Sequence, residues 1–94
     1  NENMAGPESY KLGAAYPNPF NPTTNIEYSI VEAGYTSIVV FNLQGQMVTE
    51  LVSDFRDIGE YEIQWNALNL PSGVYFINMS INGFTSNQKV MLIK

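Results

Sequence analysis

The chain has no cysteine and no histidine. Without cysteine there are no disulfides to staple a small domain and no thiolates to hold a metal, and the redox compartment leaves no mark on the sequence. Without histidine the commonest general base and transition-metal ligand is missing too. Any chemistry would fall to carboxylates, hydroxyls, tyrosines and the four Lys/Arg residues, which argues against an enzyme. Positive charge is scarce: four basic residues against nine acidic ones give a net charge of −5, which repels nucleic-acid phosphates and anionic headgroups. Long apolar runs are missing as well. Nothing approaches the ~20 residues of a membrane helix, and the first residues have neither the basic start nor the apolar stretch of a signal peptide.

What is present suits one small domain. A 94-residue chain buries only about two-thirds of its unfolded surface, so a single modest core is expected. An apolar fraction of 45% with twelve Phe, Tyr and Trp residues is a globular composition. The sequence begins with Asn1 rather than methionine, as a piece of something longer does. Residues 1–10, NENMAGPESY, are polar and aperiodic and read as a linker remnant, with the domain occupying 11–94.

The periodicity within that domain is that of strands. Ile26, Tyr28 and Ile30 alternate with Asn25, Glu27 and Ser29; Tyr61, Ile63, Trp65 and Ala67 alternate with Glu60, Glu62, Gln64 and Asn66. TSIVVFNL (36–43) is nearly continuous in apolar residues, as in a strand covered on both faces, and 46–52 is its weakly alternating return arm across Gln44-Gly45. SDFRDIG (53–59) reads as a surface loop and Leu70-Pro71-Ser72-Gly73 as a type I turn. GVYFINMSI (73–81) and 84–93 are joined by Asn82-Gly83, the strongest hairpin signal in the chain. With a short first strand near 12–16, the expectation is an all-β, immunoglobulin-like antiparallel β-sandwich of about seven strands. Ahead of it, YPNPFNPTTNIEYSI (16–30) places Pro17, Pro19 and Pro22 in a stiff path that should not extend the sheet, with Tyr16 and Phe20 pinning it over the core.

Few residues invite a catalytic or ligand role. Asp54, Asp57, Glu60 and Glu62 offer oxygen ligands near one loop, but their spacing matches no EF-hand, and solvated carboxylates are expected, with no metal or cofactor. Trp65 shares its face with Tyr61 and Ile63 and so reads as a core residue; Tyr10, Tyr35 and Phe84 are the surface aromatics that a carbohydrate-binding module could use. Lys89 and Lys94 frame VMLI, as gatekeeper charges frame an edge strand. Asn78-Met79-Ser80 is a formal glycosylation acceptor in mid-strand.

Three segments together, YPNPFNPTTNIEYSI, LPSGVYFINM and NQKVMLIK, resemble the type A C-terminal sorting domain of type IX (Por) secretion substrates. The resemblance runs from about Leu12 to Lys94, and its fold is similar to the immunoglobulin-like C-terminal domain of the flagellar hook-capping protein. It implies a non-catalytic tag on an N-terminal cargo domain, recognised by an outer-membrane translocon, cut by a sortase-like peptidase in or near residues 1–12, and passing through the periplasm to the cell surface or medium. Its motifs fall on Pro17, Asn18 and Pro19, on Gly73 and Tyr75, and on Lys89 to Lys94. Val90, Leu92 or their neighbours would then fill receptor pockets, with Lys89 and Lys94 setting register along an open last strand. That strand would also allow weak edge-to-edge self-association. A carbohydrate-binding or spacer module of a secreted polysaccharide-degrading enzyme is the alternative.

Overall fold

The computed structural model describes residues 9–94 and places seven antiparallel strands in two sheets. They are β1 (Lys11–Leu12), β2 (Thr23–Ile30), β3 (Gly34–Phe41), β4 (Met47–Arg56), β5 (Gly59–Asn66), β6 (Gly73–Ile81) and β7 (Phe84–Leu92). One sheet has the order β1-β2-β5 and the other β4-β3-β6-β7. This is an immunoglobulin-like sandwich in which the fourth strand lies beside the third, rather than with the first, second and fifth as in constant-type domains.

Alternation in the sequence becomes burial in the structure. Ile26, Tyr28 and Ile30 from one sheet meet Ile38, Val40, Tyr75, Ile77, Met79, Val90 and Leu92 from the other in a single core. Trp65 packs in it toward the end of β5, 3% exposed, with Phe20 tilted against it at 5.0 Å and Tyr75 edge-on at 5.8 Å between ring centroids. The Asn82-Gly83 hairpin forms as expected, both residues having positive φ (48° and 83°), the requirement of a type I′ turn. At the same end of the sandwich, where Gly34 lies between Asn82 and Arg56, Arg56 donates from Nε to the Tyr28 hydroxyl at 3.3 Å and so ties the sheets together. That hydroxyl, followed by the charge of Asp54, holds the guanidinium pKa above its ordinary value.

Four local expectations are corrected. The stretch 53–59 is not a loop: β4 continues to Arg56, pairing Tyr35 with Phe55 and Ser37 with Ser53, and only Asp57 and Ile58 connect it to β5. Register shifts leave Leu51 and Val48 unpaired on β4, and such bulges reset the two-residue period, which is why this edge strand alternates so weakly. The hydrogen-bonded turn before β6 spans Ala67–Leu70 (3.0 Å), not 70–73, because the Asn66 carboxamide oxygen accepts from the Leu68 N–H at 2.9 Å and starts it early. The short first strand covers Lys11–Leu12 rather than 12–16, and Tyr16 forms only an isolated bridge to Asn25, its ring 79% exposed.

The fourth correction concerns the prolines. The 13–22 segment, whose Tyr16–Pro17, Asn18–Pro19 and Asn21–Pro22 bonds are cis, does extend a sheet. Phe20 donates its N–H to the Met91 carbonyl and accepts from the Ile93 N–H, both at 2.9 Å, forming a parallel bridge beside β7. Proline removes only its own donor, so the intervening Phe20 keeps both main-chain groups free to pair.

Trp65 contacts elements from both sheets, so its truncation should be severe. Trp65→Ala is expected to cost about 3–5 kcal/mol, comparable to the whole stability of a domain this small. Trp65→Phe should still fold, and thermal melts followed by circular dichroism would separate the two.

Candidate functional site

The three sequence segments that carry the resemblance meet at one corner of the structure. From the proline segment, the Asn18 carboxamide donates to the Lys89 carbonyl at 3.3 Å and accepts from the Met91 N–H at 3.0 Å. A side chain here does the work of a neighbouring strand. One residue pair further along, Phe20 takes over with its main chain. In return the Gln88 carboxamide reaches across to the same segment, accepting from the Ala15 N–H at 2.9 Å and donating to the Gly13 carbonyl at 2.5 Å. The outward backbone of β7 is therefore bonded to this strap at Lys89, Met91 and Ile93. The last strand is not an open edge along this stretch; the long outermost strands without such a cover are β4 and β5, which carry Glu50, Asp54, Glu60 and Glu62, beside the two-residue β1.

The second segment builds the wall of the corner. Tyr75 is buried at the start of β6, and its hydroxyl donates to the Pro71 carbonyl at 2.6 Å, four residues upstream. This is the tyrosine corner of immunoglobulin-like sandwiches, where a Tyr early in the sixth strand pins the preceding loop. Gly73 precedes it at φ 152°, a conformation that side-chain-bearing residues rarely adopt. Together they fix Val74, which lies directly opposite Met91 on β7. Because the Met91 main chain turns away from β6, these two form a non-hydrogen-bonded pair, in which side chains approach most closely.

The third segment divides by orientation. Val90 and Leu92, each 1% exposed, point into the core, so in the folded domain neither presents a side chain to a receptor pocket. Lys89 and Met91 face outward, Met91 42% exposed. Lys94 is engaged within the domain: its ammonium donates to the Leu68 and Leu70 carbonyls, and its N–H donates to Ser72 Oγ at 3.0 Å. It clamps the β5–β6 connection. Between the segments lies a notch of about 260 Å³ lined by Asn18, Pro19, Val74, Lys89, Val90 and Met91. Pro17 stands just outside this lining and accepts from the Thr24 hydroxyl at 2.7 Å through its carbonyl.

The remaining candidates do not converge. Asp54 and Asp57 each accept from the next residue's N–H, at 2.8 and 2.9 Å, while Glu60 and Glu62 point outward from β5. No group of three or more carboxylates able to hold a metal occurs among the described residues. A larger hollow of about 530 Å³ borders the β1-β2-β5 sheet between Lys11, Glu27, Ser29, Glu60 and Glu62. Glu27 and Glu62 are directly opposite there, an arrangement that mildly destabilises the sheet. Trp65 offers no face to a sugar, Tyr10 and Phe84 stack on each other at 5.3 Å, and the Tyr35 hydroxyl is paired with Ser53.

Sequence reasoning missed the Asn18 clamp and the Lys94 contacts, which obey no periodic pattern. Met91 was expected only as a neighbour of Val90 and Leu92, although strict alternation from those two places it outside. Asn18→Ala should speed hydrogen exchange of the Met91 amide while leaving Ile93, still bonded to Phe20, protected. Tyr75→Phe should lower stability by about 1 kcal/mol in denaturant titrations, the usual net worth of one hydrogen bond.

No curated protein matches the chain. The family described as secretion system C-terminal sorting domain matches residues 14–94, which include the strap, the tyrosine corner and the lysine-framed last strand. Domains of this family act as sorting signals for type IX secretion and not as catalysts; they are attached to a cargo and interact with the secretion machinery. With that match spanning most of its length and the three motif segments meeting at one corner, the chain belongs to the secretion system C-terminal sorting domains.

Proposed function

We propose that the domain delivers a larger cargo protein, joined at its N-terminal side, through the type IX translocon across the outer membrane to the cell surface or medium. Residues 1–10 serve as the linker and 11–94 as the folded signal. A sortase-like peptidase cuts in or near residues 1–12; residues 1–8 lie outside the described part, and a cut ahead of Lys11 leaves every strand intact. The observation that carries this reading is the convergence of Asn18 and Pro19, Gly73 to Tyr75, and Lys89 to Met91 around one notch.

The motif residues divide their tasks. Tyr75, Val90 and Leu92 shape the corner from within and Gly73 sets the start of β6, while Pro17, Asn18 and Lys94 brace it by hydrogen bonds from the surface that Pro19 and Lys89 share. Transport requires no reacting group, in keeping with a chain that has neither histidine nor cysteine.

A fluorescent reporter fused ahead of residue 1 should reach the surface or medium of a host carrying a type IX system. Deleting residues 89–94 removes Val90 and Leu92 from the core together with both lysines, and should leave the reporter inside the cell. Undiminished export after that deletion would sink the reading.

A further inference from the structure

We infer that the secretion receptor reads the outer face of the β6–β7 hairpin by side-chain docking, not by adding a strand. It places an apolar side chain in the notch beside Val74 and Met91 and a carboxylate against Lys89. The inference rests on the sorting function proposed above and adds which face is read and by what chemistry.

Strand addition needs a row of unpaired main-chain groups. Over the end of β7 that row is occupied, by Asn18 at Lys89 and Met91 and by Phe20 at Met91 and Ile93. What this corner offers a partner is side chains, and their character changes along the hairpin. Toward the Asn82-Gly83 turn the outer face is polar: Asn78 is bonded to Asn87 at 2.7 Å, and Ser80 lies opposite Thr85. Toward the strap it becomes apolar, with Val74 opposite Met91, and Phe76 between Phe41 and Lys89. Apolar groups at the strap end only are what a localised contact requires, whereas a face exposed merely to solvent has no reason to be so divided.

Charge identifies the partner. The described carboxylates lie on β2, β4, β5 and the connections after β2 and β4, and none lies on the strap, β6 or β7. In a chain of net charge −5 this corner therefore holds unopposed positive charge. Lys94 is turned to the Leu68 and Leu70 carbonyls, but Lys89 forms no ion pair among the described residues and stands at the rim of the notch. An acidic residue flanked by an apolar one is complementary to that arrangement. The volume, about 260 Å³, falls below the range of small-molecule sites and accommodates a protein side chain.

The test uses the reporter fusion with three surface variants, each domain also purified and melted. Lys89→Glu should reduce export about tenfold or more with little change in Tm, since like charges facing across an interface are strongly unfavourable. Lys89→Gln should fall between it and the unaltered domain. Thr85→Glu, at the polar end of the same face, should export normally. A further variant, Met91→Asp, should behave as Lys89→Glu does; if it fails to fold, the outward-facing Lys89 substitutions decide alone. Full export of Lys89→Glu, with a reporter lacking the domain retained inside, overturns the docking face and leaves the sorting function standing. Retention of the reporter carrying the unaltered domain overturns the sorting function itself.

Discussion

The bonding of Asn18 and Phe20 to the last strand is the contact on which the rest of this domain depends. A sandwich of seven strands ends each sheet in a strand with one side unpaired, and the final strand of the chain is the natural place for such an edge. Here the segment that opens the fold closes it. Tyr16 exchanges two hydrogen bonds with Asn25 on one sheet, and four residues later Phe20 exchanges two with the end of β7 on the other. The strap thus joins both sheets along one side, while Phe20, 2% exposed, adds its ring to the packing around Trp65. The contacts between the strap and β7 link residues more than seventy apart in sequence, so their closure entropy is recovered only when both ends of the domain are present.

Family motifs in this chain are mostly structural instructions. Gly73 and Tyr75 look like a recognition signature in the sequence and act in the structure as a strand start and a loop pin. Val90 and Leu92 fill the core, and Lys94 satisfies carbonyls of a neighbouring connection. A signal that must be read after folding needs a rigid frame behind a small exposed surface, because flexibility at the frame would add an ordering cost to each recognition event. The division between buried and exposed motif positions comes from strand alternation alone: a run such as Lys89 to Leu92 cannot place all its side chains on one face.

The same physics sets how much of the domain was legible. β2 and β5 each turn one face to the core and leave the other polar, so their period is visible in the letters, and the Asn82-Gly83 turn that closes β6 onto β7 admits few other conformations. β4 was the least readable strand because it lies at an edge and carries two bulges at Leu51 and Val48, each of which shifts the phase of the alternation beyond it. The strap was invisible as a pairing element, since an asparagine carboxamide that stands in for a peptide group leaves no periodic trace. The tyrosine corner could have been found: a tyrosine two residues into a strand, after a proline-containing connection, is its pattern. The notch could not, because it needs three segments in register. Only resemblance brought those segments together before the structure did.

The edges β4, β5 and β7 are protected in different ways, and the face inferred above to be recognised lies beside only one of them. β4 is broken by bulges and bears Glu50 and Asp54; β5 bears Glu60 and Glu62; both devices discourage pairing with another chain. β7 is protected differently, by the strap, and therefore does not need negative charge along its border. That freedom lets its outer face carry lysine and methionine where the other edges carry carboxylates. Covering the last strand with the first segment thus removes an aggregation hazard and, by the same contacts, leaves one corner whose charge and polarity differ from the rest of the molecule. A receptor that must find one domain type among many exported chains can discriminate on that difference, through the side chains the strap holds in place.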